Sequence, residues 1–468
     1  MQSKYKSLAG DTLIFGLGNL LMKVIQLVLM PVLTIALTTE QYGSAELLNN
    51  ATELAYPIVC LCLHDALFRF AITKEDDETT LLSSGLFVVC ITFPILYICA
   101  LIGFQFFGFQ DAFWFAFIVI SMSLRQITAQ FSRGIGMRKE FAVSGVLDAA
   151  VLLILTCVFL LIYRLGPVAY LASLAISHLV SCLYIVLVGR LWRFISVKSI
   201  NMRCVKRMLV YSLPMIPNCS AIWFINLFNR YAVLGMCGAA AAGLYTAAAK
   251  FPSMMNMIST IFQQAWQIFA SRGMGENEEE KIKSFSMVFA AYSALLMTLT
   301  SIAVSCSSFL ALLLLQGDFY IAWRFIPGLL FGAMLSCYSI YFGTLYNAAM
   351  KNKMLFISTA VGALVNVILT LALVPYLNAW GAVFTPAIAY AVVLIIRIVD
   401  TRKIAPIKVD MSLHIISIVA ILCECTLLSV DIEWGVPVSL VIMISQLVFV
   451  VVRYRSYLKR IFSYRNNL

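Results

Sequence analysis

The amino-acid sequence predicts an all-α integral membrane protein with about 14 transmembrane helices. The 468-residue chain is 62% hydrophobic and only 12% charged, whereas soluble domains contain about 25% charged residues. Apolar runs of about 20 residues recur along its whole length, and each is long enough to cross a hydrocarbon core of about 30 Å as a helix. Runs of this length indicate membrane-spanning helices and not the strands of a barrel.

The apolar runs, and the breaks between them, place the predicted spans in three groups. Six spans come first, at approximately 11–37, 45–70, 81–103, 112–132, 142–163 and 168–189. Six more follow, at approximately 209–235, 243–270, 284–313, 323–349, 355–375 and 380–399. Two spans remain near the C-terminus, at approximately 411–430 and 436–452.

The basic residues are distributed unevenly among the connections between these spans. Most of the 33 Lys and Arg residues fall in alternate connections and in the C-terminal tail, and connections rich in Lys and Arg are generally cytoplasmic. The distribution therefore predicts a multi-pass membrane protein with both termini in the cytoplasm. It also accounts for the net charge of +11 without a nucleic-acid partner.

A basic stretch without a span of its own divides the chain. This cytoplasmic connection, 191–208, separates an N-terminal six-helix lobe (1–190) from a C-terminal six-helix lobe (209–400), and two further helices and a basic tail follow (401–468). Because six is an even number, both lobes would enter the membrane in the same orientation. We therefore expect a parallel repeat about an axis normal to the membrane.

Three basic residues, Lys23, Arg230 and Lys250, lie inside predicted spans and have no obvious acidic neighbour on the same helix. A cation at a helix centre costs roughly 2.5–3.5 kcal/mol on insertion scales, so such residues usually face the bundle interior or a wet cavity. Polar residues recur on the same and neighbouring helices at helical spacing. We predict a central cavity that binds an anion through the three cations, with a polar lining from Asn19, Gln26, Asn49, Asn226, Ser253, Thr260 and Gln264.

Simpler roles are open for these residues. Ser, Thr and Asn side chains in membranes often only hydrogen-bond between helices. Lys23 could pair with Glu53, and Arg230 and Lys250 could extend to the outer headgroups. The groups that could bind a coupling proton are Glu53, His64 and Asp148.

Other functional classes lack their characteristic residues in this sequence. No Walker-type glycine-rich loop is present, so ATP hydrolysis by this chain is not expected. The cysteine spacing and the absence of a histidine cluster predict no metal and no cofactor. The short outer connections leave little room for the catalytic domain of a membrane glycan polymerase or acyltransferase. The sequence therefore favours a transporter over an enzyme, and proton or sodium coupling stays open.

Several segments resemble one family of membrane exporters. They are the opening KSLAGDTLIFGLG (6–18), PVLT (31–34), LTTEQYG (37–43), FQQAW (262–266) and AWGAV (379–383). They look like segments of the polysaccharide repeat-unit flippases, the O-antigen and capsule exporters of the multidrug/oligosaccharidyl-lipid/polysaccharide superfamily. The resemblance extends over nearly the whole chain.

The resemblance implies a fold and a substrate. The fold would be two six-helix lobes that form a V around a central cavity and alternate between inward-open and outward-open states, with two appended helices. The substrate would be an undecaprenyl-diphosphate-linked oligosaccharide, flipped across the bacterial inner (cytoplasmic) membrane for lipopolysaccharide or capsule assembly. Polysaccharide polymerases and glycosyltransferases would be its partners.

The resemblance also bears on the predicted site. Related lipid II flippases use cavity arginines on their helices 1, 2 and 8, and by position Lys23 and Lys250 would replace two of them. On helix 2 this sequence offers only Arg69, near the end of the span, so the correspondence is partial. A cation-coupled multidrug exporter on the same fold is the alternative, although exporters of cationic drugs favour intramembrane acids over intramembrane bases.

Overall fold

The computed structural model of the chain describes residues 21–22, 24–74, 76–107, 111–274, 277–349, 352–430 and 434–465. These residues form helices joined by turns, which confirms the predicted all-α class. By its internal contacts the chain divides into two compact units, Met1–Phe228 and Asn229–Leu468. The predicted lobe bounds, 1–190 and 209–400, stay predictions.

The first unit contains helices α1 to α8 and most of α9. Their bounds are α1 Val24–Ala36, α2 Thr39–Val59, α3 Leu63–Thr73, α4 Glu78–Phe107, α5 Ala112–Gly134, α6 Arg138–Thr156, α7 Pro167–Val188, α8 Met202–Ser212 and α9 Met215–Cys237. A π-helical segment, Cys157–Ile162, extends α6.

The second unit contains the end of α9 and helices α10 to α18. Their bounds are α10 Ala239–Ala248, α11 Lys250–Gly273, α12 Glu278–Ser305, α13 Ser307–Leu314, α14 Ile326–Ala348, α15 Asn352–Leu377, α16 Ala379–Thr401, α17 Met411–Ser429 and α18 Gly435–Arg465. A 3₁₀ segment, Gly317–Phe325, precedes α14.

The helices agree with a multi-pass membrane protein. Within the described part of the chain, 10 helices are long and apolar enough to cross a membrane, or 11 if the bent pair α2 and α3 forms one span. Helices α1, α9 and α11 overlap other predicted spans. The count of fourteen spans therefore stays a prediction.

The second predicted span, 45–70, is interrupted by a buried turn. Helices α2 and α3 meet there at an angle of 52°, and both Leu61 and Cys62 adopt a left-handed φ of 51°. Pro57 removes one backbone donor from the end of α2, and its carbonyl accepts a hydrogen bond from the Cys62 N–H at 2.7 Å. Cys60 and Cys62 are both fully buried. This agrees with the rule that non-helical backbone at membrane depth must be enclosed by protein or line a cavity.

Aromatic side chains hold α11 against α14 in the second unit. The Trp266 ring stacks on the Tyr341 ring with centroids 4.4 Å apart, and its Nε1–H donates to the Tyr341 carbonyl at 3.1 Å. Both residues are buried. Because one indole both stacks and donates, it fixes the rotation of α11 as well as its position.

Helices α15 and α16 approach closely at Gly381. A Cβ atom placed on Gly381 would lie 2.6 Å from the Val374 nitrogen and 2.7 Å from the Leu373 carbonyl carbon. Real Cβ atoms do not come this close to backbone, so the residue at 381 must lack a side chain. Gly235, on α9, has no heavy atom within 4 Å of the same built position.

We predict that Gly381→Ala lowers the stability of the detergent-solubilised protein by about 1–3 kcal/mol, since a methyl group would force α15 and α16 apart. Gly235→Ala is the matched control and should be neutral or stabilise by up to about 1 kcal/mol, because alanine is the better helix former. Thermal unfolding of the two variants and the wild type checks this. Equal melting temperatures for Gly381→Ala and wild type would show that the helices separate without cost.

Candidate functional site

Helix α11 has an apolar side and a polar side. The buried residues on the helix include Phe251, Met255, Ser259, Trp266 and Ala270. A different side exposes Ser253, Asn256, Thr260 and Gln267, and we call these four residues the α11 polar face. Their spacing of three, four and seven residues places them along one side of the helix.

Three predicted site residues lie on or beside this face. Ser253 and Thr260 are exposed members, and Lys250 is half-buried at the first position of α11. The Thr260 hydroxyl donates to the Asn256 carbonyl at 2.8 Å, and the Ser253 hydroxyl donates to the Lys250 carbonyl. Each hydroxyl proton is therefore used within the helix, while each hydroxyl oxygen can still accept a hydrogen bond.

The predicted span 243–270 is not one helix. It is interrupted at Ala249, between α10 and α11, so residues before the break do not continue the α11 polar face. Thr246, which helical spacing places in line with Lys250, is fully buried. The α11 polar face therefore begins after Ala249 and does not include Thr246.

Arg230 is half-buried on α9, beside a buried polar network centred on Asn229. The Asn229 amide nitrogen donates to the Ala382 carbonyl at 3.3 Å and to Thr385 Oγ1 at 3.1 Å. Its oxygen accepts from Asn366 Nδ2 at 2.7 Å and from Thr370 Oγ1 at 3.0 Å. The network ties α9 to α15 and α16, and it fixes the part of α9 from which Arg230 projects.

The other predicted cavity residues fall into two groups. Gln26 on α1 is exposed, and Asn49 on α2 is half-buried. Outside the described residues lie Lys23 and Asn19 and also the side chains of Asn226 and Gln264. The assignment of Lys23 to a cavity therefore rests on the sequence.

Two of the three coupling candidates have contrasting surroundings. Glu53 on α2 is exposed. His64 is buried at the start of α3, with its Nδ1 3.5 Å from the Cys60 sulfur and its Nε2 3.6 Å from Asp65 Oδ2. Both contacts lie beside the turn between α2 and α3, which is the arrangement expected of a histidine that stabilises the bend.

The third candidate, Asp148, belongs to a cluster of charged residues inside the first unit. Its Oδ1 lies 2.8 Å from His178 Nδ1, and its Oδ2 lies 3.5 Å from Arg125 Nη2. The Arg125 Nε–H also donates to Ser181 Oγ at 3.3 Å. We call Arg125, Asp148 and His178 the charge triad; it joins α5, α6 and α7. Sequence reasoning missed Arg125 and His178, although both lie inside predicted spans and meet the criterion that selected Lys23.

Arg397 is a second intramembrane cation that sequence reasoning missed. It is 6% exposed on α16, and its guanidinium donates to Ser358 Oγ at 3.0 Å, the Ser339 carbonyl at 2.6 Å and Thr359 Oγ1 at 2.8 Å. All three acceptors are neutral, and they come from α14 and α15. Arg397 therefore cross-links three helices.

Comparison with known proteins gives one family. The model of the family described as "Polysaccharide biosynthesis protein" matches residues 8–268, more than half of the chain. No curated protein sequence matches.

Solved structures share the fold at low sequence identity. A multidrug resistance MATE family transporter of the MOP superfamily, inward-facing, aligns with a TM-score of 0.64 at 13% identity, over 82% of this chain and 95% of that one. The lipid II flippase MurJ, inward closed, aligns with a TM-score of 0.62 at 10% identity, over 95% of this chain and 100% of that one. A MOP superfamily transporter from Pyrococcus furiosus aligns with a TM-score of 0.54 at 13% identity, over 84% and 96%. The fold is that of this superfamily.

We predict that Asp148→Asn destabilises the protein by about 3 kcal/mol or more, because removing one partner of a buried ion pair leaves the Arg125 charge uncompensated. The double variant Arg125→Gln/Asp148→Asn should recover part of the loss, since it removes both charges. Thermal unfolding of the single and double variants measures the difference. If the double variant is less stable than the single variant by the full cost of a second, independent substitution, the two residues do not act as a pair.

Proposed function

Because this chain belongs to the polysaccharide biosynthesis protein family, we propose that it is a flippase for undecaprenyl-diphosphate-linked oligosaccharides. It would move these repeat units from the cytoplasmic to the periplasmic leaflet of the bacterial inner membrane by alternating access, for O-antigen or capsule assembly. The family match over 8–268 carries the proposal. The shared fold with a lipid II flippase supports it.

The anionic headgroup needs positive charge along its route. A diphosphate that leaves water for a low-dielectric space must be compensated, and Lys23, Lys250 and Arg230 are the residues we assign to this role. Lys250 is half-buried beside the α11 polar face, so its ammonium group would combine a charge with neighbouring sugar-binding groups. Arg125 and Arg397 are not assigned to the substrate, because their guanidinium groups already bind protein acceptors.

The α11 polar face suits the carbohydrate part of the substrate. Serine, threonine, asparagine and glutamine side chains both donate and accept hydrogen bonds, as sugar hydroxyls do. The face is exposed on the second unit, while the aromatic contacts of Trp266 hold the opposite part of α11 in place. A rigid polar surface of this kind would bind sugars without much loss of side-chain entropy.

The membrane potential favours the proposed direction of transport. With the inside negative, outward movement of an anion gains about 2.3 kcal/mol per charge per 100 mV. Resetting the empty transporter would use proton or sodium exchange, for which Glu53, His64 and Asp148 were the sequence-based candidates. Polysaccharide polymerases and glycosyltransferases would act after and before this step.

A cation-coupled multidrug exporter is the second candidate function, favoured by the fold shared with a multidrug resistance transporter. An exporter of cationic drugs needs an accessible acid in its N-terminal part. In the first unit Asp148 is bonded to Arg125 and His178, which leaves it poorly placed to bind a cationic drug. The charge triad therefore removes Asp148 as such an acid, whereas Glu53 on α2 is exposed. The preference for the flippase accordingly rests on the family match over 8–268.

We predict that Lys250→Ala and Lys23→Ala each reduce surface glycan by at least about tenfold while membrane protein levels stay unchanged, since each loses a charged contact of roughly 1.5–3 kcal/mol to the headgroup. Lys250→Arg keeps the positive charge and should retain most of the export. Glycan staining of a deletion strain complemented with each variant measures the effect.

Lys403→Ala is the matched control, because Lys403 is largely exposed and forms an ion pair with Asp400 of the same helix end. It should export glycan like wild type. Normal export in both Lys250→Ala and Lys23→Ala would overturn the assignment of the headgroup site. Drug sensitivity of the deletion strain, with normal surface glycan, would overturn the flippase in favour of the exporter.

A further inference from the structure

Glu424 is a fully buried acid within an apolar part of the second unit. It lies on α17 and is 0% exposed. Its Oε1 accepts a hydrogen bond from Ser301 Oγ at 2.7 Å. Its Oε2 is buried and has no hydrogen-bond partner among the described residues. Among the described residues, only one of the two carboxyl oxygens therefore has a hydrogen-bond partner.

The helices around Glu424 provide no cation at its depth. Helix α12 has no charged residue from 284 to 305, α14 has none from 326 to 348, and α18 has none from 435 to 452. The 3₁₀ segment contributes Arg324, whose carbonyl accepts from Ser429 Oγ, about 7 Å further along α17 than Glu424. On α17 itself the titratable neighbours are the buried Cys425, the exposed Cys423 and His414, and His414 lies about 15 Å away along the helix. The ionised form of Glu424 would carry a high desolvation free energy in these surroundings, and the neutral, protonated carboxyl group would not.

A second orphaned side chain lies at the same level of the bundle. Gln446 on α18 is 5% exposed, and neither its amide nitrogen nor its oxygen has a partner among the described residues. Helices α12 and α18 are antiparallel: Ser305 Oγ donates to the Ser439 carbonyl at 3.1 Å, and further along α18 Val450 packs in one cluster with Ala290 and Ala294, which come earlier on α12. The α17 residue Leu413 belongs to the same cluster. Both Gln446 and Glu424 lie between these two contacts.

Two more orphaned atoms continue from Glu424 towards the start of α17. The Ser417 hydroxyl is fully buried without a partner among the described residues, and so is His414 Nε2. His414 Nδ1 lies 2.9 Å from the Asp410 carbonyl. A carbonyl only accepts, so Nδ1 donates, and Nε2 of the neutral ring is then an acceptor that can take a proton. Ser417 and Glu424 follow His414 by three and ten residues, on the buried face of α17.

A cavity opens at the His414 end of this line. Its volume is about 290 Å³, and its polar lining comprises Glu279, Lys283, Ser286, Lys408, Asp410 and His414. It lies at the ends of α12 and α17 that the charge distribution predicts to be cytoplasmic. Buried polar atoms are generally paired with protein or with ordered water. Here the polar atoms of His414, Ser417 and Gln446 that lack partners among the described residues lie between the cavity and Glu424. Water molecules hydrogen-bonded to these atoms would connect the cavity with the acid.

We propose that Glu424 is a proton-binding site, reached from this cavity through water hydrogen-bonded to His414, Ser417 and Gln446. His414 Nε2 accepts a proton on the cavity side, and its new N–H bond breaks again when the proton moves to the first water. Each water along the line then accepts one proton and releases another, and the last transfer forms the O–H bond at Glu424 Oε2. Release reverses these transfers, so that His414 and the water return to their starting states. The site lies outside the substrate residues proposed above, and its existence does not depend on which substrate the protein flips.

Infrared spectroscopy of the purified full-length protein in liposomes tests the site. A buried protonated carboxyl group gives a carbonyl stretch distinct from that of a carboxylate, and this band should shift in heavy water. We expect Glu424→Gln to remove the band. Glu280→Gln, on the exposed first turn of α12, should leave it unchanged. A wild type without the band, or a band of full intensity in Glu424→Gln, would overturn the proposal.

The same band tests the path. After transfer to heavy water, Ser417→Ala and Gln446→Leu should slow its deuterium shift by about tenfold, as expected for the loss of one hydrogen-bonded step. Ser445→Ala is the control, because Ser445 is exposed on α18 and its hydroxyl donates within that helix. Unchanged rates in both path variants would overturn the path. If Glu424→Gln does not fold, Glu424→Asp keeps an acid in place, and its band must differ in position from the wild-type band.

Discussion

A charged or polar side chain inside an apolar helix must find its partners within the protein, because the hydrocarbon core supplies none. The fold of this chain follows from that constraint. Arg397 meets it by donating to three neutral oxygens on two neighbouring helices. Arg125 meets it through Asp148 and through Ser181. In both places, satisfying one guanidinium sets the rotation and depth of three helices.

The same constraint explains where the backbone leaves the helix. The turn between α2 and α3 removes regular hydrogen bonds at membrane depth, and the structure encloses it completely at Cys60 and Cys62. The freed amides find carbonyls nearby, as in the bond from Cys62 to Pro57. The break therefore adds a bend of 52° without exposing unpaired backbone to lipid, and it places His64 directly after the bend.

Hydropathy predicted the fold class and most helix positions, because the length of an apolar run is a local property of the sequence. The contacts that give each charged side chain its partner are formed between residues far apart in the sequence. The charge triad joins residues up to 53 positions apart on three helices (178 − 125 = 53), and no spacing rule connects Arg125 with Asp148. The breaks near Cys60 and at Ala249 were also missed, since neither lies at a glycine, and the proline before the first one sits within a helix. Ser253 and Thr260 share one face of α11, because both follow the break at Ala249. Their part in a substrate cavity stays a prediction.

The partners of each intramembrane charge decide which charges can serve a substrate. A cation whose guanidinium nitrogens each donate to a protein oxygen, as at Arg397, would have to break such bonds before it could bind a diphosphate, and the lost bonds would offset the gain. Lys250 differs in its position, because it is half-buried at the end of an exposed polar face. Under the proposed function, substrate binding and helix packing would thus depend on different cations. Substitution of Arg397 should therefore act through protein stability, and substitution of Lys250 through transport.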